Sequence, residues 1–215
     1  MYQAWLDLAF LHWRFAPEQV RPLVPPQLEL DLWEDAAWVG LVPFSIEGRS
    51  RLSSFLETNV RTYVVDRKGG RGVWFFSLDA ASLTAVMGAR AAYALPYFWA
   101  RMELERQGAA VRYRSRRVGA AGTGCDIALE VGEAIPDPGE LDLFLTARYR
   151  LYALRLGRLM QAGVVHPPWP LQRARAVHLR QNLLEAAGLP QPQGEPIAHF
   201  SARVEVAIGR PSVVS

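Results

Sequence analysis

Polar side chains of four different chemical types stand in a row in the stretch SFLETNVRTYVV, residues 54–65. If the stretch is a β-strand, alternate side chains share a face, and one face carries all four. They are Glu57, Asn59, Arg61 and Tyr63. A guanidinium can hold a carboxylate or carbonyl oxygen, and a neighbouring carboxyl can orient it or transfer a proton. The pattern leaves two interpretations open: a solvated strand face, or the wall of a polar pocket.

A further arginine lies on the apolar face of a predicted helix. From Leu83 onward, apolar residues recur at helical spacing, and either Asp79 or Ser82 can cap the start. Arg90 falls on that apolar face. Its guanidinium either reaches solvent at the edge of the face or is buried and needs a carboxylate, for which Glu57 is a candidate.

Several common chemistries lack the residues that they need. Lys68 is the only lysine among the 24 basic residues and lies in a glycine-rich stretch, and arginine cannot form an imine. Cys125 is the only cysteine, which excludes an internal disulfide and a cysteine-based zinc cluster. The histidines have neither HExxH nor i, i+4 spacing, so we expect structural roles, no metal and no other cofactor. They are His12, His166, His178 and His199.

Charge and hydropathy limit the partners. The formal net charge is only +3, and the strongest basic cluster, RYRSRR at 112–117, alternates as an exposed strand face does. We therefore expect no nucleic-acid partner. The chain has no run of eighteen apolar residues and no framed signal peptide, so we expect a soluble cytoplasmic protein without a membrane partner. A homo-oligomer is compatible with these features.

The predicted elements are mostly strands. With 215 residues, half of them hydrophobic, the chain is long enough for a sizeable core and is predicted to be one domain, 1–215. Many short strands with few helices indicate a mainly β (α+β) barrel or sandwich. The predicted elements are a strand at 4–15, one short helical turn within 16–26, hairpins at 28–48, 59–80 and 111–131, a helix capped by Asp137, and a closing strand at 198–209. Residues 147–165 suit either a strand or a helix, and Gly157 favours a hairpin.

The order of several motifs resembles a known family. The motifs are LHWRF, FLETNVRTYV, GVWFFSLDA, LPY at 95–97, YRSRR, FLTARYRLY and HPPWPLQ. Together they resemble the YqjF-like family of uncharacterised bacterial proteins, which is grouped with acetoacetate decarboxylase-like proteins. The resemblance implies a large, partly open antiparallel β-barrel with a polar interior cavity and a few flanking helices.

The resemblance also implies a site and a limit on its chemistry. Catalytic relatives use a lysine that forms a Schiff base with a keto acid, whereas the only lysine here, Lys68, lies in a predicted turn. We therefore expect a barrel that binds a small carboxylate- or carbonyl-bearing organic molecule without an imine; whether it is an enzyme stays open. The alternatives are a decarboxylase or related enzyme acting on a keto acid, and a scaffold barrel without a ligand. The candidate ligand-binding residues are Glu57, Asn59, Arg61, Tyr63, His12, Arg90, Tyr97, Arg148, Tyr149 and His166.

Overall fold

A 13-stranded β-sheet with four short α-helices makes up the computed structural model, which describes residues 1–48 and 53–214. The strands are β1 (Tyr2–Phe15), β2 (Leu28–Leu30), β3 (Ala37–Glu47), β4 (Phe55–Asp66), β5 (Arg71–Ala80), β6 (Tyr97–Gln107), β7 (Ala110–Arg117), β8 (Gly124–Ala134), β9 (Arg150–Arg155), β10 (Arg158–Val165), β11 (Leu171–Gln181), β12 (Ile197–Ile208) and β13 (Ser212–Val213). The helices are α1 (Pro17–Val20), α2 (Leu83–Tyr93), α3 (Glu140–Thr146) and α4 (Leu183–Ala186).

Hydrogen bonding closes the sheet into a ring. The pairing runs from β1 through β3, β4, β5, β6, β7, β8, β11 and β12 back to β1. A second path from β5 through β9 and β10 to β12 closes a smaller ring that shares β12, β1, β3, β4 and β5. Most pairs are antiparallel as expected, but β5 pairs in parallel with β6 and β9. The β5–β6 pair is parallel because α2 crosses over between the two strands.

β4, one of the shared strands, is buried on both faces. On β4, Tyr63 belongs to one hydrophobic core together with Phe44 and Phe144. Val60 and Val64, on the opposite face, belong to a second core. Side chains on either face of β4 are therefore removed from water.

The predicted hairpins are confirmed with one exception. β4 pairs with β5, β7 with β8, and β9 with β10. The predicted hairpin over 28–48 is wrong, because β2 and β3 both pair with β4, at Leu30–Val64 and Val39–Thr62, and so lie end to end. The turn still falls at Glu34–Asp35, but only an isolated Trp33–Ala36 bridge closes it.

Two helices fix segments that flank the site. α2 begins as predicted at Ser82, whose Oγ accepts the Ala85 N–H at 3.3 Å, and it ends at the left-handed residue Ala94. α3 begins at Gly139 rather than at the predicted cap Asp137, and the Gly139 N–H donates to the Asp142 carboxylate at 2.9 Å. The longest helix in the described part of the chain has 11 residues, and none there is long and apolar enough to cross a membrane.

Candidate functional site

The polar row on β4 faces the interior. Val60 and Val64 cover the other face of the strand, so the row projects toward the core that contains Phe44 and Tyr63. All four side chains of the row are buried, and Arg61 is only 7% exposed. The structure therefore excludes a solvated strand face and places the row in the interior.

Arg61 is a buried cation without a countercharge in the part of the chain that the structure describes. Its Nη2 donates to the Leu145 carbonyl at a long 3.5 Å, its guanidinium carbon lies 5.4 Å from the Phe10 ring centroid, and its Nε has no partner. It makes no ion pair with any carboxylate among the described residues, including the expected partner Glu57. A buried charge in this state is costly unless another group neutralises it.

Tyr63 connects β1 to α3 beside this cation. Its hydroxyl donates to the Leu145 carbonyl at 2.5 Å and lies 2.6 Å from Nε2 of His12. A hydroxyl has one proton, so His12 Nε2 donates to Tyr63 Oη. Burial, and next the charge of Arg61, hold the pKa of His12 well below its usual value, so the imidazole is neutral at pH 7. His12 therefore adds no charge to the site.

A second guanidinium lies close to the Tyr63 ring. Arg148 lies 4.5 Å from the Tyr63 ring centroid, and its Nε donates to the Phe144 carbonyl at 2.8 Å. Its Nη1 contacts Asp31, which also accepts two hydrogen bonds from Arg71 at 2.7 and 2.8 Å. Burial lowers the pKa of Arg148, while the Asp31 hydrogen bond opposes that shift. One carboxylate is thus shared by two guanidiniums.

Glu57 and Tyr97 form a buried, hydrogen-bonded pair of ionisable groups. The Tyr97 hydroxyl donates to Glu57 Oε2 at 2.7 Å. Burial raises the pKa of Glu57 to about 7, and hydrogen bonds from Tyr97 and Asn59 limit the rise. Burial also raises the pKa of Tyr97 well above its usual value. Near neutral pH the Glu57 carboxyl can therefore both donate and accept a proton, and Tyr97 stays a hydroxyl.

A cavity of about 110 Å³ lies beside these groups. This is several times the space that one water molecule needs. Its polar lining includes Arg61, Tyr97, Arg148 and Arg150. The apolar lining includes Met1, Trp5, Val73, Phe75, Leu78, Ala89, Leu95, Leu151, Val164 and Ile208. The cavity can accommodate a small organic molecule with a negatively charged end and an apolar body.

Seven of the ten candidate residues lie outside the cavity lining. Glu57, Asn59, Tyr63 and His12 are buried, and the other three are His166, Tyr149 and Arg90. His166 is buried between the rings of Tyr149 and Trp169, at centroid distances of 4.7 and 4.6 Å, and its Nε2 lies 3.3 Å from the Arg148 carbonyl. Tyr149 is half exposed. Arg90 is exposed on α2 and donates to the Tyr97 carbonyl, so the considered Glu57–Arg90 pair does not form. His166 and Arg90 thus contact the backbone carbonyls of two residues that line the cavity, Arg148 and Tyr97.

Family membership follows from the sequence comparisons. The chain matches the DUF2071 family, described as an uncharacterized conserved protein, over residues 2–205. The chain belongs to this family. It is also 37% identical to the uncharacterized protein YqjF of Bacillus subtilis (strain 168), over 96% of this chain and 89% of that protein. The YqjF-like resemblance of the sequence motifs is confirmed.

Solved structures place this DUF2071 member in the acetoacetate decarboxylase-like fold. The enduracididine biosynthesis enzyme MppR, complexed with pyruvate, matches with a TM-score of 0.73 at 12% identity, covering 100% of this chain and 90% of that one. Acetoacetate decarboxylase from Legionella pneumophila matches with a TM-score of 0.72 at 13% identity, covering 100% and 87%. At such low identity the likeness shows the fold alone.

The groups for covalent or metal chemistry lie away from the cavity. Lys68 is exposed in the β4–β5 turn, where its backbone N–H donates to the Asp66 carboxylate at 2.9 Å. Cys125 is buried next to Ser115, and burial raises the pKa of its thiol to about 11. Among the described residues, no group of three or more histidine, cysteine, aspartate or glutamate side chains is arranged to hold a metal ion.

Sequence reasoning missed three contributors to the site. Asp31, Arg150 and the Leu145 carbonyl all contact or flank the candidate guanidiniums. Arg150 lies two residues after the candidate Arg148, a spacing that would have placed both on one strand face. A backbone carbonyl has no side-chain signature, so the sequence contained no signal for Leu145.

Proposed function

We propose that this DUF2071 protein binds a small organic molecule with a carboxylate or carbonyl group in its interior cavity, beside Arg61. One observation supports the proposal above all. The Arg61 guanidinium is buried at the cavity wall, has an unpartnered Nε, and makes no ion pair among the described residues. An oxygen anion of the ligand would supply the missing countercharge through charge-assisted hydrogen bonds.

The surroundings of Arg61 support the same class of ligand. We propose that the ring of strands is a partly open β-barrel whose interior holds the molecule. Its aliphatic and aromatic lining suits an apolar ligand body. Among the structural neighbours, MppR is described as complexed with pyruvate, which has both a carboxylate and a carbonyl group.

The proposed binding does not use an imine. Lys68, the only lysine of the sequence, is exposed in a turn and does not line the cavity. Incubation with pyruvate and borohydride, followed by mass spectrometry, should give no adduct at Lys68. An adduct there would instead support the decarboxylase alternative with lysine chemistry.

A second candidate function is proton transfer on a bound keto acid. The pKa of Glu57, about 7, and its bond to Tyr97 on the cavity wall favour this alternative. Proton NMR in deuterated water would detect exchange at the carbon next to the carbonyl of pyruvate or acetoacetate. Exchange that Glu57→Gln abolishes would make the protein an enzyme, and its absence would leave a binding protein.

Thermal shift measurements test the binding proposal directly. Pyruvate, acetoacetate and longer-chain keto and carboxylic acids should raise the melting temperature of the wild type, because they bind the folded state. Arg61→Met should abolish the shift. Arg101→Met, which removes an exposed arginine on β6, is the matched control and should keep it. Equal shifts for all three proteins would refute Arg61 as the anchor.

A further inference from the structure

The cavity contains more positive charge than one carboxylate would neutralise. Three guanidiniums line it, those of Arg61, Arg148 and Arg150. Within the described part of the chain, none of the lining residues is an aspartate or a glutamate. Among the described residues, two acids outside the lining form ion pairs with this group, Asp31 with Arg148 and Asp66 with Arg150.

These two carboxylates are already shared or satisfied. Asp31 pairs with both Arg148 and Arg71. Asp66 accepts from the Lys68 N–H at 2.9 Å, the Gly70 N–H at 2.8 Å and the Tyr152 hydroxyl at 2.8 Å, so its 3.4 Å contact with Arg150 is its longest. Four guanidiniums, counting Arg71, thus face two carboxylates, and two positive charges remain.

Nearby acids do not remove this excess. Glu57 hydrogen-bonds to Tyr97 and makes no ion pair among the described residues. Glu140 is exposed on an outer groove that Arg71 also lines, and it makes no ion pair with Arg71 among the described residues. The excess is therefore shared between the guanidiniums that line the cavity and the exposed Arg71 behind them.

The three lining guanidiniums differ in depth. Arg61 and Arg148 are buried, whereas the side chain of Arg150 is 38% exposed and also lines two grooves on the outer surface. Leu151 and Val164 line the same cavity. The lining thus combines two buried guanidiniums, apolar side chains and a third, partly exposed guanidinium, and we take the Arg150 side as the mouth of the cavity.

We propose that the ligand is a dicarboxylic acid whose one carboxylate binds between Arg61 and Arg148 and whose other carboxylate binds Arg150 at the mouth. The inference rests on the proposed function and restricts its ligand from any small carboxylate- or carbonyl-bearing molecule to a dicarboxylic acid. Two separate cationic positions favour two separate carboxylates over one doubly charged group such as a phosphate monoester. The apolar wall takes the chain between the carboxylates.

Calorimetric titration of matched ligands tests the proposal. The probes are the diacids from malonate to adipate, each paired with its own monomethyl ester, and inorganic phosphate. The best diacid should bind about 10- to 100-fold more tightly than its monoester, the effect of one additional charged hydrogen-bonded pair. Phosphate should bind no more tightly than the monoesters.

Substitutions of Arg150 test whether this residue binds the second carboxylate. Arg150→Met should reduce diacid affinity to that of the monoester, and Arg150→Lys should keep most of the preference because it keeps the charge. Arg155→Met removes an exposed arginine from the same strand and should change neither affinity. Since Asp66 keeps three other donors, Arg150→Met should fold, which its melting temperature will verify.

The outcomes separate this inference from the function on which it rests. Monoesters that bind as tightly as diacids, with both dependent on Arg61, would overturn the dicarboxylate inference and keep the proposed function. A diacid preference that survives Arg150→Met would also overturn it. If neither ligand class binds, both proposals fall.

Discussion

At the scale of single residues, we expect Arg61 to favour ligand binding and to lower the stability of the unliganded protein. The residue lies in the interior with one long hydrogen bond to Leu145 and a ring contact with Phe10. These contacts replace only part of the hydration that a guanidinium has in water. In the unliganded protein, Arg61 should therefore lower the free energy of unfolding relative to an apolar residue of similar length.

Arg61→Met should raise the free energy of unfolding of the unliganded protein by about 1–2 kcal/mol, because it removes a buried charge without a countercharge. Urea denaturation followed by tryptophan fluorescence measures the change. The control Arg101→Met, on the surface, should change stability by less than about 0.5 kcal/mol. A marked loss of stability in Arg61→Met would mean that the guanidinium has a structural role.

Glu57 should make stability depend on pH near neutrality. Its folded pKa, about 7, is above the value of 4.5 for an ordinary glutamate, so the folded state binds the proton more tightly than the unfolded state does. Stability from this group is therefore highest at low pH, falls as the pH rises from about 4.5 to 7, and levels off above that range. The total change is on the order of 3 kcal/mol.

Comparison with Glu57→Gln isolates this contribution. The variant should lack the fall in unfolding free energy between pH 5 and pH 8 that the wild type shows. His12, whose lowered pKa makes stability rise with pH over the acidic part of this range, is present in both proteins and cancels. Identical pH profiles for the two proteins would contradict the raised pKa of Glu57.

The sequence predicted part of the candidate site. The alternation in β4 placed Glu57 and Arg61 on one face, but only the burial of Val60 on the other face decides that this row is internal. The ion pair between Asp31 and Arg148 joins residues 117 positions apart, and no local pattern connects them. Arg90 had helical spacing in its favour, yet α2 lies with that side chain exposed.

At the scale of elements, a close approach of two strands positions Arg148 and Arg150. β9 pairs in parallel with β5 next to Gly72, at Val73–Leu151. A Cβ atom on Gly72 would lie 2.7 Å from the Arg150 carbonyl oxygen and 2.8 Å from the Tyr152 ring. Glycine is therefore required at position 72 for β9 to reach the cavity.

Gly72→Ala should destabilise the protein by about 1–3 kcal/mol and weaken carboxylate binding, because β9 must move away from β5. Thermal denaturation and calorimetric titration measure the two effects. Gly163→Ala, on β10, is the matched control, since a Cβ atom there meets nothing within 4 Å. If Gly72→Ala behaves like the control, the close packing does not position the site.

Local signals predicted the hairpins but not every strand. β4 and β5 were predictable because β-branched and aromatic runs flank the glycine-rich turn at 66–72. β6 and β11 were missed because both carry polar residues along much of their length. β6 forms a hairpin with β7, whereas β11 pairs with β8, which is distant in sequence. Because β2 and β3 pair with successive parts of β4, sequence proximity suggested a hairpin that does not form.

At the scale of the whole molecule, two hydrophobic cores lie on opposite faces of shared strands. β1, β3, β4, β5 and β12 belong to both rings. The cores therefore have no boundary along which one could separate from the other without breaking those strands. We expect the chain to unfold as one cooperative unit, in line with the predicted single domain.

Substitutions in either core should shift one common transition. Leu78→Ala in the first core should cost about 2–5 kcal/mol and Ile127→Val in the second about 0.5–1.5 kcal/mol. Urea unfolding followed by both circular dichroism and tryptophan fluorescence should give coincident curves for each variant. A second transition in either protein would show that the cores unfold separately.

Periodicity alone left barrel and sandwich undecided, and the family resemblance pointed to the fold. Ring closure depends on β5, which pairs with β4 along its whole length and with β9 and β6 at two separate points, near Val73 and near Leu78. The pairing of one strand with three others depends on long-range packing, so the hydrophobic periodicity of the sequence does not predict it.

The position of Lys68 has a practical consequence for handling the protein. It is the only lysine and lies exposed in the β4–β5 turn, outside the cavity lining. Amine-reactive dyes or biotin reagents should therefore modify only this side chain and the chain's terminal amine. Molecules coupled through Lys68 would all be attached to a sensor surface at the same turn, with the three cavity arginines unmodified.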